Sequence, residues 1–314
     1  MTTMRAIAAP RWGAPDVLEP VTVPRPEPRP TEILVAVHAA AVNPTDWKTR
    51  ATGGFGQWGD PPILGYDVSG VVEATGPGAS LFEPGDEVFG MPRFPEQAGA
   101  YAEYVAAPSR HFAHKPDNLD HVHAAGLPLV GLTAWQALAE VARVRPGQRV
   151  LVHAAAGGVG HVAVQIAKAL GAYVIGTASA PKHELLRSLG ADELIDYHET
   201  DFAAVLRDVD VVLDAIGGDV AIRSLAVLRR GGIHIALPRP DDPAVETRAR
   251  ELGVRTGWTL VEPDRAGLLA IKDLVDSGKL RVEIARVFPL ADAARAHELG
   301  ESNRTTGKIV LQVR

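Results

Sequence analysis

The segment best suited to hold a ligand is Val150-Leu151-Val152-His153-Ala154-Ala155-Ala156-Gly157-Gly158-Val159-Gly160. An apolar triplet that reads as a strand runs into a glycine turn. A helical pattern follows, with Val162, Ile166 and Leu170 at four-residue spacing. Glycines let the backbone approach a pyrophosphate closely, and a helix N-terminus offers unpaired N–H groups and the positive end of a dipole. The full dinucleotide fingerprint has a glycine where Ala155 stands, so the match is partial. Its weight comes from its place between a strand and a helix, with the next strand where it is needed. Ala156, Gly157, Gly158 and Val159 are the expected pyrophosphate contacts. Cofactor choice is read about 20 residues later, where NAD users carry an acid for the ribose hydroxyls. The stretch Gly176-Thr177-Ala178-Ser179-Ala180-Pro181-Lys182-His183 contains no acid. The Ser179 hydroxyl and the Lys182 cation suit a 2′-phosphate, so NADPH is expected over NADH. Lys182 taken alone reads equally well as a solvated residue at a helix start.

Three parts must position these residues. Residues 1–122 hold short apolar runs, such as Ile33-Leu34-Val35-Ala36-Val37, Asp67-Val68-Ser69-Gly70-Val71-Val72 and Ala102-Glu103-Tyr104-Val105. Turn signals such as Gly76-Pro77-Gly78 and Glu83-Pro84-Gly85-Asp86 separate them, so a small barrel or sandwich is expected. Residues 123–258 alternate strands (150–152, 173–176, 209–213, 233–237) with helices, one of which, at 182–189, stops at Gly190. That alternation predicts a doubly wound parallel sheet. Residues 259–314 hold helices near 266–277 and 291–299 and a last strand at 308–313, and are expected to fold back onto the first part. The crevice between the two resulting domains is then the expected ligand site.

Composition removes several classes of function. With 46% apolar and 22% charged residues, the chain is globular rather than disordered. Its net charge of −6 argues against a general DNA or RNA binder. The absence of cysteine excludes disulfides, thiolate zinc sites, iron–sulfur clusters and a cysteine nucleophile. His121 and His123 have no nearby carboxylate or thiolate partner in sequence and read as surface residues rather than metal ligands. No apolar core of a signal peptide follows Met1, and no window approaches eighteen consecutive apolar residues. The expectation is a cytoplasmic protein without a membrane partner.

Many ordered stretches carry a family resemblance. They include Ala41-Val42-Asn43-Pro44-Thr45-Asp46, Gly65-Tyr66-Asp67-Val68-Ser69-Gly70-Val71-Val72, Gly85-Asp86-Glu87-Val88-Phe89-Gly90 and Gly99-Ala100-Tyr101-Ala102-Glu103-Tyr104-Val105. Further along come Leu132-Thr133-Ala134-Trp135, Ile195-Asp196-Tyr197 and Thr306-Gly307-Lys308-Ile309-Val310. The chain resembles the zinc-free medium-chain dehydrogenases/reductases of the quinone oxidoreductase and enone reductase group. The resemblance implies an α/β fold, in which a GroES-like β-rich catalytic domain (1–122 and 259–314) joins a Rossmann doubly wound parallel sheet that binds NADP (123–258).

The resemblance also carries site residues over. Asn43, Tyr66 and Asp67 stand where zinc-dependent relatives have cysteine, histidine and glutamate, so no metal is expected. Lys48 stands two residues after Asp46, where similar plant enone reductases place a lysine beside the nicotinamide ribose and the substrate oxygen. It is the expected catalytic group, although most lysines simply face solvent. Asn43 and Asp46 resemble cleft residues near the nicotinamide, and Asp46 reads equally as the cap of a helix starting near Trp47. Thr133 matches a nicotinamide contact, Tyr197 a residue packed on the 2′-phosphate, and Ala215, Ile216 and Gly217 a ribose contact. Asn43, Trp47 and Tyr66 are the expected substrate contacts, while Trp135 reads as core. The implied reaction is zinc-free reduction of a quinone or of the C=C bond of an α,β-unsaturated carbonyl. The alternatives are an enoyl thioester, an imine, or cofactor binding without catalysis. The implied assembly is a homodimer through an edge strand near 253–260, and loops 50–62 and 238–262 are expected to select the substrate.

Overall fold

The computed structural model describes all residues except 1, 55, 57 and 238–242. The chain forms two units: Met1–Leu132 with Glu262–Asp276 and Val282–Arg314, and Thr133–Val261 with Ser277–Arg281.

The first unit is β-rich. Its spine is the strand Glu32–Val42, whose near-continuous apolar sequence fits burial on both faces. Along one side it pairs antiparallel with Asp67–Thr75. Along the other, its first half pairs with Tyr104–Pro108 and its second half with Lys308–Gln312. The sheet runs in the order Ile284–Pro289, Lys308–Gln312, Glu32–Val42, Asp67–Thr75, Glu87–Gly90, Phe112–His114, and Thr3–Ala8 and Glu19–Pro24 form a separate hairpin. The strand read at residue 102 begins only at Tyr104. Ala102 makes an isolated bridge to Ala6, and the Glu103 carboxylate is taken by Arg5. Ile33, Val35, Val37, Leu64, Phe112 and Leu311 are all buried in this unit's core, each contributing about 1.5–3 kcal/mol by leaving water.

The second unit is a sheet of six strands, all parallel. From one edge they run Glu193–Ile195, Tyr173–Thr177, Arg149–Val152, Val209–Asp214, Leu228–Ala236 and Arg255–Trp258. In chain order that is 3-2-1-4-5-6, the doubly wound order of dinucleotide folds, with its switch point between the first and fourth strands. The expected helix at 182–189 is a 3₁₀ turn, Ala180–Lys182, followed by the α-helix His183–Ser188. Gly190 closes it with φ +99°, a conformation costly for any residue with a Cβ. The helix Gly160–Ala169 is buried from Gly160 to Ala167. Its Gln165 side chain bonds both the backbone N–H and the carbonyl of Arg281, which attaches Ser277–Arg281 to this unit. Among the described residues, no helix is long and apolar enough to cross a membrane.

Candidate active site

The glycine turn leaves the carboxyl end of Arg149–Val152, at the switch point of the sheet. Ala154 takes φ +49°, and Ala155 N–H donates to Thr177 O at 3.0 Å, tying the turn to the end of the neighbouring strand. His153 is a brace. Its Nδ1 lies 3.0 Å from Thr177 Oγ1 and its Nε2 2.9 Å from Ser224 Oγ. Burial pushes its pKa down to about 4, so the imidazole is neutral at pH 7. Position 160 admits only glycine, because a Cβ there would lie 2.3 Å from Ala154 O. The helix can therefore start directly against the turn, where Gly157 O takes His161 N–H at 3.1 Å and Val159 O takes Ala163 N–H at 2.9 Å. This cradle fits the pyrophosphate of a dinucleotide.

Ser179 caps the 3₁₀ turn that ends at Lys182, and Tyr197 is exposed on the segment after Glu193–Ile195. The same segment brings in an acid absent from the local sequence window. Asp196 accepts from Ala180 N–H and from His198 N–H, both at 3.0 Å. The His198 N–H leads in holding its pKa below the usual carboxylate value. After the fourth strand, Ala215 and Ile216 are exposed. The fully buried Asp214 shapes this loop: Oδ1 accepts from Ile216 N–H and Gly217 N–H, at 2.8 and 3.0 Å, and Oδ2 lies 3.0 Å from His234 Nε2. Burial pushes the Asp214 carboxyl up, but the His234 and backbone N–H groups together outweigh it and keep it ionised. Thr133 is buried on the helix Pro128–Trp135.

In the first unit, Asn43 is the N-cap of the helix Pro44–Thr52. Pro44 follows at the first helical position, where its missing N–H costs nothing. Asp46, three residues after the cap, accepts from Asn43 N–H at 2.7 Å and from Tyr101 Oη at 3.1 Å. Asp46 is therefore not the cap of a helix starting near Trp47: the helix starts three residues earlier, at Pro44, because Pro44 and the Asn43 cap set its first turn, and Asp46 is the acid that completes a capping box with Asn43. Its other oxygen is buried without a partner, and burial raises its pKa to about 7. Behind Tyr101 lie His297 Nε2, at 3.0 Å from the Tyr101 hydroxyl, and Arg50, with Nη1 3.4 Å from His297 Nδ1 and Nη2 2.6 Å from Glu301. Burial, and then the Arg50 charge, push His297 down to about 3, so its Nδ1 accepts and its Nε2–H donates to Tyr101.

Asp67 is fully buried beside this cluster. Its oxygens take Leu129 N–H at 2.7 Å, Asn43 Nδ2 at 2.9 Å and Lys308 Nζ at 3.5 Å. Lys308, also fully buried, donates as well to Val42 O at 3.1 Å and to Asn43 Oδ1. Its ammonium thus sits on side chains at two of the three positions where the family resemblance puts metal ligands. At the third, Tyr66 turns its hydroxyl to Pro95 O at 3.2 Å and its ring to Phe94.

The structure therefore gathers Asn43, Asp46 and Asp67 into one buried network. Tyr66 is buried nearby; burial, and then the Asp46 charge, push the pKa of its hydroxyl well up, so it stays neutral. Lys48 stands exposed on the helix. Trp47 packs its ring toward His297, at 6.5 Å between centroids, and against Gly300. Lys308, Tyr101, His297 and Asp214 are the residues that sequence reasoning did not single out. His121 and His123 bond Ser69 and Asp120 at 2.8 and 2.7 Å. Among the described residues, no three His, Asp or Glu side chains gather as a metal site.

Residues 29–117 match the alcohol dehydrogenase GroES-like domain, and residues 189–311 match the zinc-binding dehydrogenase domain. The quinone oxidoreductase of Coxiella burnetii superposes with a TM-score of 0.92 and 41% identity, over 100% of both chains. Mycobacterial Rv1454c, solved complexed with NADPH, superposes with a TM-score of 0.88 and 34% identity, over 99% of this chain and 100% of that one. A 2-haloacrylate reductase from Burkholderia sp is 39% identical over 276 residues, 81% of this chain and 82% of that protein. With a Rossmann sheet, a GroES-like unit and these relatives, the chain belongs to the quinone oxidoreductase group of the medium-chain dehydrogenases/reductases, and is an NAD(P)H-dependent oxidoreductase.

Proposed function

We propose that this chain reduces quinones, or the C=C bond of α,β-unsaturated carbonyls, with NADPH and without zinc. The observation that carries the reading is the Lys308 ammonium. Zinc needs nitrogen, sulfur or carboxylate donors free to face it at about 2.0–2.3 Å. Asn43 Oδ1 and both Asp67 oxygens already accept hydrogen bonds, Tyr66 is held neutral by burial, and the local positive charge is supplied by Lys308. These residues do not fit a zinc ion. Without a Lewis acid at this place, an acceptor already activated by conjugation is the better match. The names of the quinone oxidoreductase and 2-haloacrylate reductase relatives support those two acceptor classes.

NADPH supplies the hydride when bound. The chain supplies position and charge. The glycine turn and the start of Gly160–Ala169 bind the pyrophosphate. Ser179, Lys182 and Tyr197 take the 2′-phosphate end, while both Asp196 oxygens are occupied by backbone N–H groups. Asn43, Asp46, Thr133, Ala215, Ile216 and Gly217 serve the nicotinamide end, Asn43 and Asp46 by fixing the helix that bears Lys48. Lys48 stabilises the negative charge that develops on the substrate oxygen, a contribution of about 3–4 kcal/mol for a well-placed donor. Lys48 or solvent then protonates the carbon. Asn43, Trp47 and Tyr66 shape the substrate side. Selection among substrates is assigned to loops 50–62 and 238–262, of which 55, 57 and 238–242 lie outside the described residues. A homodimer through the edge strand Arg255–Trp258 completes the proposal.

Steady-state assays with NADPH, NADH and a panel of enones and quinones test it. Turnover that prefers NADPH and survives EDTA is expected. Absence of turnover on every acceptor, or a preference for NADH, refutes it.

A further inference from the structure

The second unit carries a cavity of about 620 Å³ lined by Glu140, Val141, Ala142, Arg143, Arg145, Gln148, Arg229 and Arg255. It opens at the amino ends of the parallel strands. Gln148 precedes Arg149–Val152, Arg229 is the second residue of Leu228–Ala236, and Arg255 opens Arg255–Trp258. The glycine turn leaves the opposite end of Arg149–Val152, roughly 13 Å away at 3.3 Å per residue. The cavity is thus separate from the dinucleotide cradle.

Four arginines, all exposed, line this cavity in a chain whose net charge is −6. Arginine does not lose its proton at any physiological pH, so the positive charge of the lining is permanent and favours an anion. The acids close by are Glu140, on the lining, and Asp210. Asp210 is already engaged, accepting from Arg229 Nε at 2.5 Å, Arg149 N–H at 2.8 Å and Gln148 Nε2 at 3.4 Å. The four arginines thus outnumber the two acids, Glu140 and Asp210, and of the three besides Arg229, Arg143 Nε and Arg255 Nε are held by the carbonyls of Glu140 and Gly231 at 3.3 and 3.4 Å.

The backbone around the cavity is also irregular in two places. Gln136–Val141 is a π-helix, and Arg143, just after it, takes φ +54°. Both forms cost free energy and concentrate at functional sites. On the other wall, pairing jumps from Val209–Leu228 to Val211–Ile233, so residues 229–232 leave the ladder and carry Arg229 with them.

We propose that this cavity binds a nucleotide-sized compound carrying at least two phosphate groups. Planar guanidinium forks match phosphate oxygens pairwise. Val141 and Ala142 offer an apolar wall, and the volume lies within the range of small-molecule sites, about 300–1,000 Å³.

Calorimetry on the intact protein tests the proposal, with inorganic pyrophosphate and ADP as probes, each with and without saturating NADPH. The expected result is one site for either probe that persists in NADPH. The double substitution Arg143→Gln/Arg145→Gln should weaken it at least tenfold, with the circular dichroism spectrum and NADPH affinity unchanged. Arg255→Gln, made separately, should weaken it in the same sense, so misfolding of one variant leaves the test standing. No binding of either probe, or binding that NADPH abolishes and the arginine variants leave intact, overturns the proposal.

Discussion

Replacing Lys308 with methionine tests whether its ammonium holds the buried cluster together. Methionine keeps most of the length and apolar volume of lysine and removes only the charge and its donors. In the native chain, Nζ lies 3.5 Å from Asp67 Oδ2. At an effective dielectric constant of about 20, two unit charges at that distance attract by about 5 kcal/mol. Desolvation of both groups offsets part of this, and burial is the leading influence that pushes Asp67 up and Lys308 down toward their neutral forms. Removing one partner nevertheless strands a carboxylate in the core and leaves Asn43 Oδ1 without its donor, a loss of about 3–5 kcal/mol. The double variant Lys308→Met/Asp67→Asn removes both charges. The Asn43 amide can then turn its oxygen toward the new amide at position 67, so much of the loss should return, with a coupling of at least about 2 kcal/mol. Urea unfolding measures the totals, and hydrogen exchange along Lys308–Gln312 reports locally on the first unit, because a two-unit chain need not unfold in one step. A single variant within about 1 kcal/mol of the native protein, or a double variant no better than the single, would refute the reasoning.

Three further outcomes follow from the site. Lys48→Ala should lower kcat on enones and quinones by about 10²–10³ with the NADPH Kd unchanged, as read by fluorescence titration; unchanged turnover removes Lys48 from the mechanism. Lys182→Ala should raise the KM for NADPH about tenfold, the loss of one charge-assisted hydrogen bond, and leave the KM for NADH alone. An equal effect on both cofactors would mean that Lys182 does not meet the 2′-phosphate. Asp46 has its pKa raised by burial to about 7 in the folded chain, against about 3.9 unfolded. The folded state therefore holds the proton more tightly, and the associated stability is present below about pH 4 and lost as pH rises through about 7. The ceiling on this effect is ~4 kcal/mol. Asp46→Asn keeps an oxygen for Asn43 N–H and Tyr101, so the fall in stability between pH 5 and pH 8 should shrink; an unchanged fall would place the titration elsewhere.

The parts of this protein written in local order were legible before any coordinates. The strand–glycine turn–helix at 150–170 and the continuous apolar strands follow from steric and hydrophobic rules that act within a dozen residues. The strand edges moved by a few residues where tertiary partners intervened, as at Ala102 and Glu103. The buried cluster lies beyond that range. Lys308 reaches Asn43 across 265 residues, Arg50 reaches Glu301 across 251, and Tyr101 reaches His297 across 196. No spacing encodes such pairs. One signal does exist: Asp67 opens a strand with the apolar residues Val68, Val71 and Val72, and a carboxylate there must be paired if it is buried. With 32 lysines and arginines in the chain, the demand for a cation can be read but its owner cannot. The owner matters to the chemistry. A lysine on the strand Lys308–Gln312 sits against Asn43 and Asp67, and it ties the cap of the Lys48 helix to a segment 265 residues away. The cap of the helix that bears Lys48 is thus held by a strand whose place is set by its pairing with Glu32–Val42.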